Sequence, residues 1–273
     1  MNLQELGASG VQIPDVGLGT WAYTGGSAPL RRGVELGAFL IDTAEAYHTE
    51  DAVGAAIEDI RGDVFVATKV SPSHFRRRDV HRAADESLRL LKCDVIDLYQ
   101  LHWPNSQIPI AETMGAMEEL VDAGKVRYIG VSNFSVREME DAQAALSKSR
   151  IVSNQVEYSL TDRSIEREVL PYCQANGITV IAYSPLARGL GNFGKGSAAL
   201  DDAAAWNGRT AAQTALNWCL SHDRVMVIPK TNSAARVEEN CGASGWRLPD
   251  EDIAALEAAF PAQGERRRWF GGL

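Results

Sequence analysis

Short apolar runs alternate with longer segments of helical periodicity from one end of this chain to the other. The runs are Val16–Thr20, Ala38–Ile41, Val64–Thr68, Val95–Leu101, Val126–Val131, Ile151–Asn154, Ile178–Ala182 and Val225–Ile228. Several are almost continuously apolar, as expected of strands covered on both faces. Between them, Val53, Ala56, Ile57 and Ile60 recur at helical spacing. So do Val80, Ala83, Ala84, Ser87, Leu88 and Leu91, and again Ala212, Ala215, Leu216 and Cys219, each set forming one apolar stripe. Ser135 with Glu138, and Thr210 with Gln213, read as capping boxes that open helices. Gly124 reads as the stop of a helix over Glu112–Ala123.

About eight strand-then-helix units result, with no Pro/Gly/Ser linker to divide them. Strict alternation implies a parallel sheet, and eight units in 273 residues suit an α/β fold of the closed (β/α)8 TIM-barrel type. The alternative is an open, doubly wound sheet. That fold usually carries a third glycine after its first strand, which the stretch Gly17 to Ala22 lacks. Residues 1–15 hold a turn at Gly7–Gly10 and read as a β-hairpin plugging the barrel bottom. The tail from Gly264 to Leu273 is short, arginine-rich and then aromatic. It reads as an addition to a single domain spanning 1–273.

Composition narrows the class. The chain is 45% hydrophobic and 23% charged, with a net charge of −9. A large core is therefore expected, and nucleic-acid binding, which wants a basic face, is not. No basic-then-apolar leader opens the chain and no run approaches roughly 18 apolar residues, so a cytoplasmic protein off the membrane is expected. Cys93, Cys173, Cys219 and Cys241 are widely spaced, which suits reduced thiols better than a metal site or a disulfide frame.

In such a barrel, chemistry gathers where the strands end. Asp42 follows the second run, Lys69 the third and His102 the fourth. Ser132 and Asn133 follow the fifth, Gln155 the sixth, Tyr183 the seventh and Lys230 the eighth, while Tyr47 lies five residues past Asp42. Each alone has an ordinary explanation, such as a helix cap, a packed ring or a solvated loop cation. One polar group per strand end, converging on one face, calls for another. An ammonium beside a phenol lowers the phenol's pKa from its usual value of about 10. Lys69 could supply that charge to Tyr47, Asp42 could orient Lys69, and His102 could donate to a substrate oxygen. The group would polarise a carbonyl and protonate it, and a hydride donor would then be required on the other side.

The segments that carry these residues resemble the aldo-keto reductases. The matching stretches are Gly19-Thr20-Trp21, Ile41 to Tyr47, Ala67-Thr68-Lys69 and Asp97-Leu98-Tyr99-Gln100-Leu101-His102. Further along come Gly124 to Phe134, Asn154 to Tyr158, Ala182 to Leu186 and Ile228-Pro229-Lys230. They fall in family order over roughly residues 15–260. The resemblance implies a catalytic set of Asp42, Tyr47, Lys69 and His102, and NADPH or NADP+ as cofactor. It implies that Ser132, Asn133 and Gln155 hold the nicotinamide carboxamide, with Tyr183 stacked on the ring. Gly19, Thr20, Trp21, Asp42, Ser184 and Leu186 join the cofactor contacts. Lys230, Thr231 and Arg236 would meet the 2′-phosphate, where two cations and a hydroxyl bracket a helix start, with Glu239 and Asn240 near the adenine.

The glycine-rich stretch Arg188 to Gly196 nearly spells a nucleotide-binding P-loop, but Gly196 replaces the magnesium-binding hydroxyl. The resemblance makes it a flap over the cofactor pyrophosphate. Trp21, Tyr47, His102 and Trp103 are expected to line the substrate pocket. The short loop Trp103–Ile110 leaves that pocket open to small-molecule carbonyls. A monomer without metal is expected. Two other readings are a cofactor-binding regulatory subunit with little turnover and an aldolase forming a Schiff base on Lys69.

Overall fold

The computed structural model describes residues 1–262. Eight strands form one parallel sheet: β3 (Leu18–Gly19), β4 (Leu40–Asp42), β5 (Phe65–Val70), β6 (Ile96–Leu101), β7 (Val126–Ser132), β8 (Ile151–Glu157), β9 (Thr179–Tyr183) and β10 (Val225–Val227). They follow one another in chain order. Parallel bridges between Val16 and Val227 and between Gly19 and Lys230 join the first to the last and close the barrel. The seam is thin because Pro229 has no N–H to give it. What holds there is Val227 N–H on the Asp15 carbonyl at 3.0 Å, Gly17 N–H on the Val227 carbonyl at 2.8 Å and Gly19 N–H on that of Pro229 at 3.3 Å. The expected run Val16–Thr20 is accordingly reduced to a two-residue strand.

Helices wrap the outside: α1 (Ser27–Glu35), α2 (Glu50–Ile57), α3 (Arg77–Leu91), α4 (Ile110–Asp122), α5 (Val136–Ala144), α6 (Val169–Ala175), α7 (Ser197–Trp206), α8 (Ala211–Leu220), α9 (Ala234–Cys241) and α10 (Asp250–Ala259). Both expected capping boxes form, Ser135 with Glu138 and Thr210 with Gln213, each exchanging hydrogen bonds in both directions. Gly124 follows α4 at φ 71°, a left-handed stop that glycine enters without strain. Helix α2 ends at Ile57, so Ile60 packs from beyond it. None of these helices is long and apolar enough to cross a membrane.

Two apolar layers result. The outer one lies between helices and strands. The inner one fills the barrel with Leu40, Phe65, Ala67, Leu98, Val152, Ile181, Met226 and Ile228. Leu6 and Ile13 belong to this inner set and are fully buried. They come from the hairpin of β1 (Leu3–Glu5) and β2 (Gln12–Pro14), which plugs the barrel as expected. The tail from Gly264 onward lies outside the described residues.

Candidate active site

Several strands run further than their apolar runs. Asp42 is the last residue of β4, Lys69 lies within β5, and Gln155 within β8. Their side chains are therefore part of the barrel interior rather than of the loops above it. Lys69 is fully buried and Asp42 is 2% exposed. Burial on that scale demands complete pairing. Lys69 Nζ donates to Asp42 Oδ1 at 2.6 Å, to the Thr43 carbonyl at 2.8 Å and to Tyr47 Oη at 3.4 Å. Burial works to lower the Lys69 pKa, but Asp42 and Tyr47 outweigh it and leave the value raised. The amine is held as an ammonium.

Tyr47 ends a short 3-10 turn, Glu45–Tyr47, between β4 and α2. Its hydroxyl reaches Lys69 at 3.4 Å and His102 Nε2 at 3.5 Å, with the two rings meeting edge to face. The expected lowering of its pKa is not found. Burial raises it, Lys69 pulls it down, Asp42 pushes it back up, and the balance lies above the ordinary phenol value. The charge of Lys69 is largely spent on Asp42, 2.6 Å away. Tyr47 is thus a neutral phenol aimed between an ammonium and an imidazole.

His102 follows β6, and its backbone N–H is fixed on the Val70 carbonyl at 3.0 Å. Burial first, and the positive charge of Lys69 second, push its pKa down to about 3. The ring is neutral near pH 7 and lies stacked on Trp103.

The amides expected to face a nicotinamide stand beside these groups. Ser132 Oγ donates to the Gln155 carbonyl at 2.8 Å. Asn133 takes a left-handed backbone at φ 63°. Its Nδ2 donates to Ser132 Oγ at 2.9 Å and the His102 carbonyl at 3.2 Å, and its Oδ1 accepts from Tyr183 Oη at 3.0 Å. Gln155 Nε2 donates to Asp42 Oδ2 at 2.8 Å. A carboxamide needs both acceptors and a donor. Gln155 Oε1 takes no hydrogen bond among the described residues and Asn133 keeps a second lone pair, so the set offers acceptors to the amide NH2. A donor to its carbonyl requires Ser132 Oγ or Asn133 Nδ2 to exchange a present partner.

Other expected contacts are placed with varying directness. Gly19 pairs with Lys230 across the seam. Thr20 is buried and donates its hydroxyl to the Asp42 carbonyl at 2.9 Å. Trp21 is 59% exposed at the mouth side of β3. Ser184 stands at φ 50° after β9, and Leu186 packs on the outer core. Lys230 and Arg236 are exposed and form no ion pair among the described residues, and they flank the start of α9. Thr231 Oγ1 accepts from the Ser233 N–H at 3.2 Å. Asn240 is buried and Glu239 half-buried on the same helix. The stretch Leu190–Gly196 is a 3-10 segment whose Phe193 ring is buried edge-on against Phe260.

Over residues 15–260 the chain matches the aldo/keto reductase family. It belongs to that family. Methylglyoxal reductase YeaE of Escherichia coli (strain K12) is 39% identical over 266 residues, spanning 92% of this chain and 93% of that one. An aldo-keto reductase from Klebsiella pneumoniae, solved in complex with NADPH, superposes with a TM-score of 0.87 at 37% identity and covers 96% of each chain. The thermostable aldo-keto reductase Tm1743, solved with the inhibitor epalrestat, gives 0.88 at 40% identity, covering 95% of this chain and all of that one.

Two residues of this aldo-keto reductase site escape a strand-end reading. Gln100 lies inside β6, fully buried, and donates to Asp42 Oδ2 at 3.2 Å. Glu45 opens the turn that carries Tyr47. Its carboxylate accepts from the Ser71 N–H and faces His74 Nδ1 at 3.1 Å, which ties that turn to the segment after β5.

Proposed function

We propose that this oxidoreductase reduces small aldehydes or ketones to alcohols with NADPH, and that Tyr47 is the general acid. The observation that carries the reading is the neutral Tyr47 hydroxyl, 3.4 Å from a buried ammonium and 3.5 Å from a neutral imidazole. When bound, NADPH supplies the hydride that goes to the carbonyl carbon. Tyr47 Oη gives its proton to the carbonyl oxygen. Lys69 Nζ stabilises the phenolate left behind, which it cannot do equally for the neutral phenol, so its contribution is to the transition state. Asp42 keeps Lys69 charged and aimed. His102, in the tautomer protonated at Nε2, donates a hydrogen bond to the same oxygen and orients it. The reverse alcohol oxidation uses the same groups in the opposite proton states.

On the cofactor side, Ser132, Asn133 and Gln155 hold the carboxamide, and Tyr183, tethered through its hydroxyl to Asn133, carries the ring. Lys230, Thr231 and Arg236 meet the 2′-phosphate. Relatives named as reducing methylglyoxal or glyoxal, together with exposed Trp21, support small 2-oxoaldehydes as the substrate class.

Tyr47→Phe tests the acid. Carbonyl reduction should fall by roughly 10²–10⁴-fold while NADPH binding, read by fluorescence, stays near wild type. Retained turnover refutes the assignment. The aldolase reading fares poorly against the site's charge, since a Schiff-base lysine must present a neutral amine and Lys69 is held protonated. A regulatory subunit would bind NADPH and turn over none of a carbonyl panel that includes methylglyoxal.

A further inference from the structure

Three side chains from alternate strands meet inside the barrel mouth. Asp42 comes from β4, Gln100 from β6 and Gln155 from β8. Gln100 Nε2 donates to Asp42 Oδ2 at 3.2 Å, Gln155 Nε2 donates to the same oxygen at 2.8 Å, and Gln155 Nε2 also reaches Gln100 Oε1 at 3.4 Å. All three are buried to within 2% of full cover. An ionised carboxylate only accepts. It therefore forces both glutamines to present their NH2 groups to it. The Gln155 NH2 can only donate, so Gln100 meets it with its oxygen, which takes the second hydrogen of the Gln155 amide. With both hydrogens committed, Gln155 has one face remaining, Oε1, as a lone acceptor.

We infer that Gln100 is a positioning residue that locks the amide of Gln155 with its oxygen toward the nicotinamide carboxamide and at the same time steadies Asp42 beneath Lys69. The inference rests on the cofactor reading proposed for this site. Without Gln100, Gln155 holds only one hydrogen bond on that side, and its amide is free to turn its NH2 outward. Asp42 Oδ2 would lose one of its two donors, loosening the carboxylate that aims Lys69 at Tyr47.

The neighbouring strand makes room for this arrangement. Gly130 lies in register with Gln100 on one side and with Ser153 on the other. A Cβ at Gly130 would come within 3.0 Å of Gln100 Cγ and closer still to Ser153 Oγ.

The test compares wild type with Gln100→Leu, with Gln100→Met as the second variant should the first fold poorly. Three quantities are read: NADPH affinity by fluorescence, kcat and KM for a small aldehyde, and Tm. NADPH affinity should weaken about fivefold. The kcat should fall about tenfold while KM for the aldehyde stays within about twofold. The Tm should fall by a few degrees, because Gln100→Leu removes one partner only and leaves a Gln155 N–H and an Asp42 lone pair short of a hydrogen bond inside the barrel, so affinity and kcat are read well below the variant's Tm. Unchanged NADPH affinity and unchanged kcat in a folded variant overturn the inference, as does a loss of activity that is recovered by assaying well below the variant's Tm. A wild type that binds NADPH but reduces no carbonyl would instead sink the reductase reading, and the affinity comparison would still decide the role of Gln100.

Discussion

Lys69 stands 3.4 Å from the Tyr47 hydroxyl but 2.6 Å from Asp42, so its charge belongs first to the carboxylate and only second to the phenol. Burial raises the Tyr47 pKa, and Lys69, committed to Asp42, does not bring it back down, so Tyr47 keeps its proton in the resting site. In the proposed mechanism Lys69 then acts mainly when negative charge develops on Tyr47. Lys69→Met should lower kcat for reduction by about 10²-fold or more, with a much smaller change in NADPH affinity. Steady-state kinetics beside fluorescence titration checks this, and a loss carried by affinity instead of kcat would assign Lys69 to binding.

His102 gives a second expectation, through pH. Its pKa is pushed down to about 3, chiefly by burial and then by Lys69. Between that value and the unfolded value of about 6.5, the unfolded chain binds a proton that the folded chain refuses. Stability therefore rises with pH across this window and is lost from about 6.5 downward. The imidazole C–H resonance of His102 should show no titration between pH 8 and about 4. A midpoint near 6.5 would mean that the ring is solvated and that its buried geometry does not persist.

The strand-end pattern made Asp42, Lys69 and His102 legible because a parallel barrel gathers on one face the residues at and just past the ends of its strands. Tyr47 was reachable only by adding the loop after β4. Gln100 was hidden because a polar residue inside an apolar run, like Asp97 in the same strand, looks like noise, and its partners lie on strands 58 and 55 residues away in the chain. The sign of the Tyr47 shift was hidden for another reason. Sequence names the neighbouring charges but not how deeply the phenol is buried, which is what chiefly raises its pKa, nor that Asp42 takes the larger share of Lys69. The thin seam between β10 and β3 was partly readable, since Pro229 already denies the ladder a donor.

Glu118 on α4 predicts an acid-sensitive loop away from the site. Its carboxylate accepts from the Ser147, Lys148 and Ser149 N–H groups and from Ser147 Oγ, at 2.6–3.0 Å. Burial would raise its pKa, but these donors overcome that and bring it down to about 2. The stabilisation is present above the unfolded value and is lost as pH falls through the folded one. Glu118→Gln, which keeps one acceptor and adds an NH2 facing N–H groups, should destabilise by about 2 kcal/mol and lower Tm by roughly 5 °C. Thermal unfolding at pH 7 and pH 3 should show the difference between variant and wild type shrinking at the lower pH.

Phe260 and Gly196 set the far end of the glycine-rich segment. Arg163 holds the Phe260 carbonyl at 3.0 Å, and the Phe260 ring lies so close to Gly196 that any Cβ there would overlap it. Gly196→Ala should therefore cost roughly 1–3 kcal/mol through overpacking. Phe260→Ala should absorb most of that cost, so the double variant should be no less stable than Phe260→Ala alone. A double-mutant cycle by denaturant unfolding measures the coupling, and additive effects would place the strain elsewhere.

Lys230 and Arg236 are exposed, flank the start of α9 and have no ion-pair partner among the described residues. Two unpaired cations within seven residues, beside the N–H groups of a helix start, repel each other mildly and gain by meeting a dianion. NADPH carries that dianion at its 2′ position and NADH does not. The double variant Lys230→Ala with Arg236→Ala should weaken NADPH by about 10²-fold, in line with two charge-assisted contacts of about 1.5 kcal/mol each, and change NADH by less than about threefold. Because the interaction is exposed, wild-type affinity for NADPH should also fall as salt is raised, and the variant should show a flatter response. Equal losses for the two cofactors would remove both residues from the phosphate site and point to a general effect on α9.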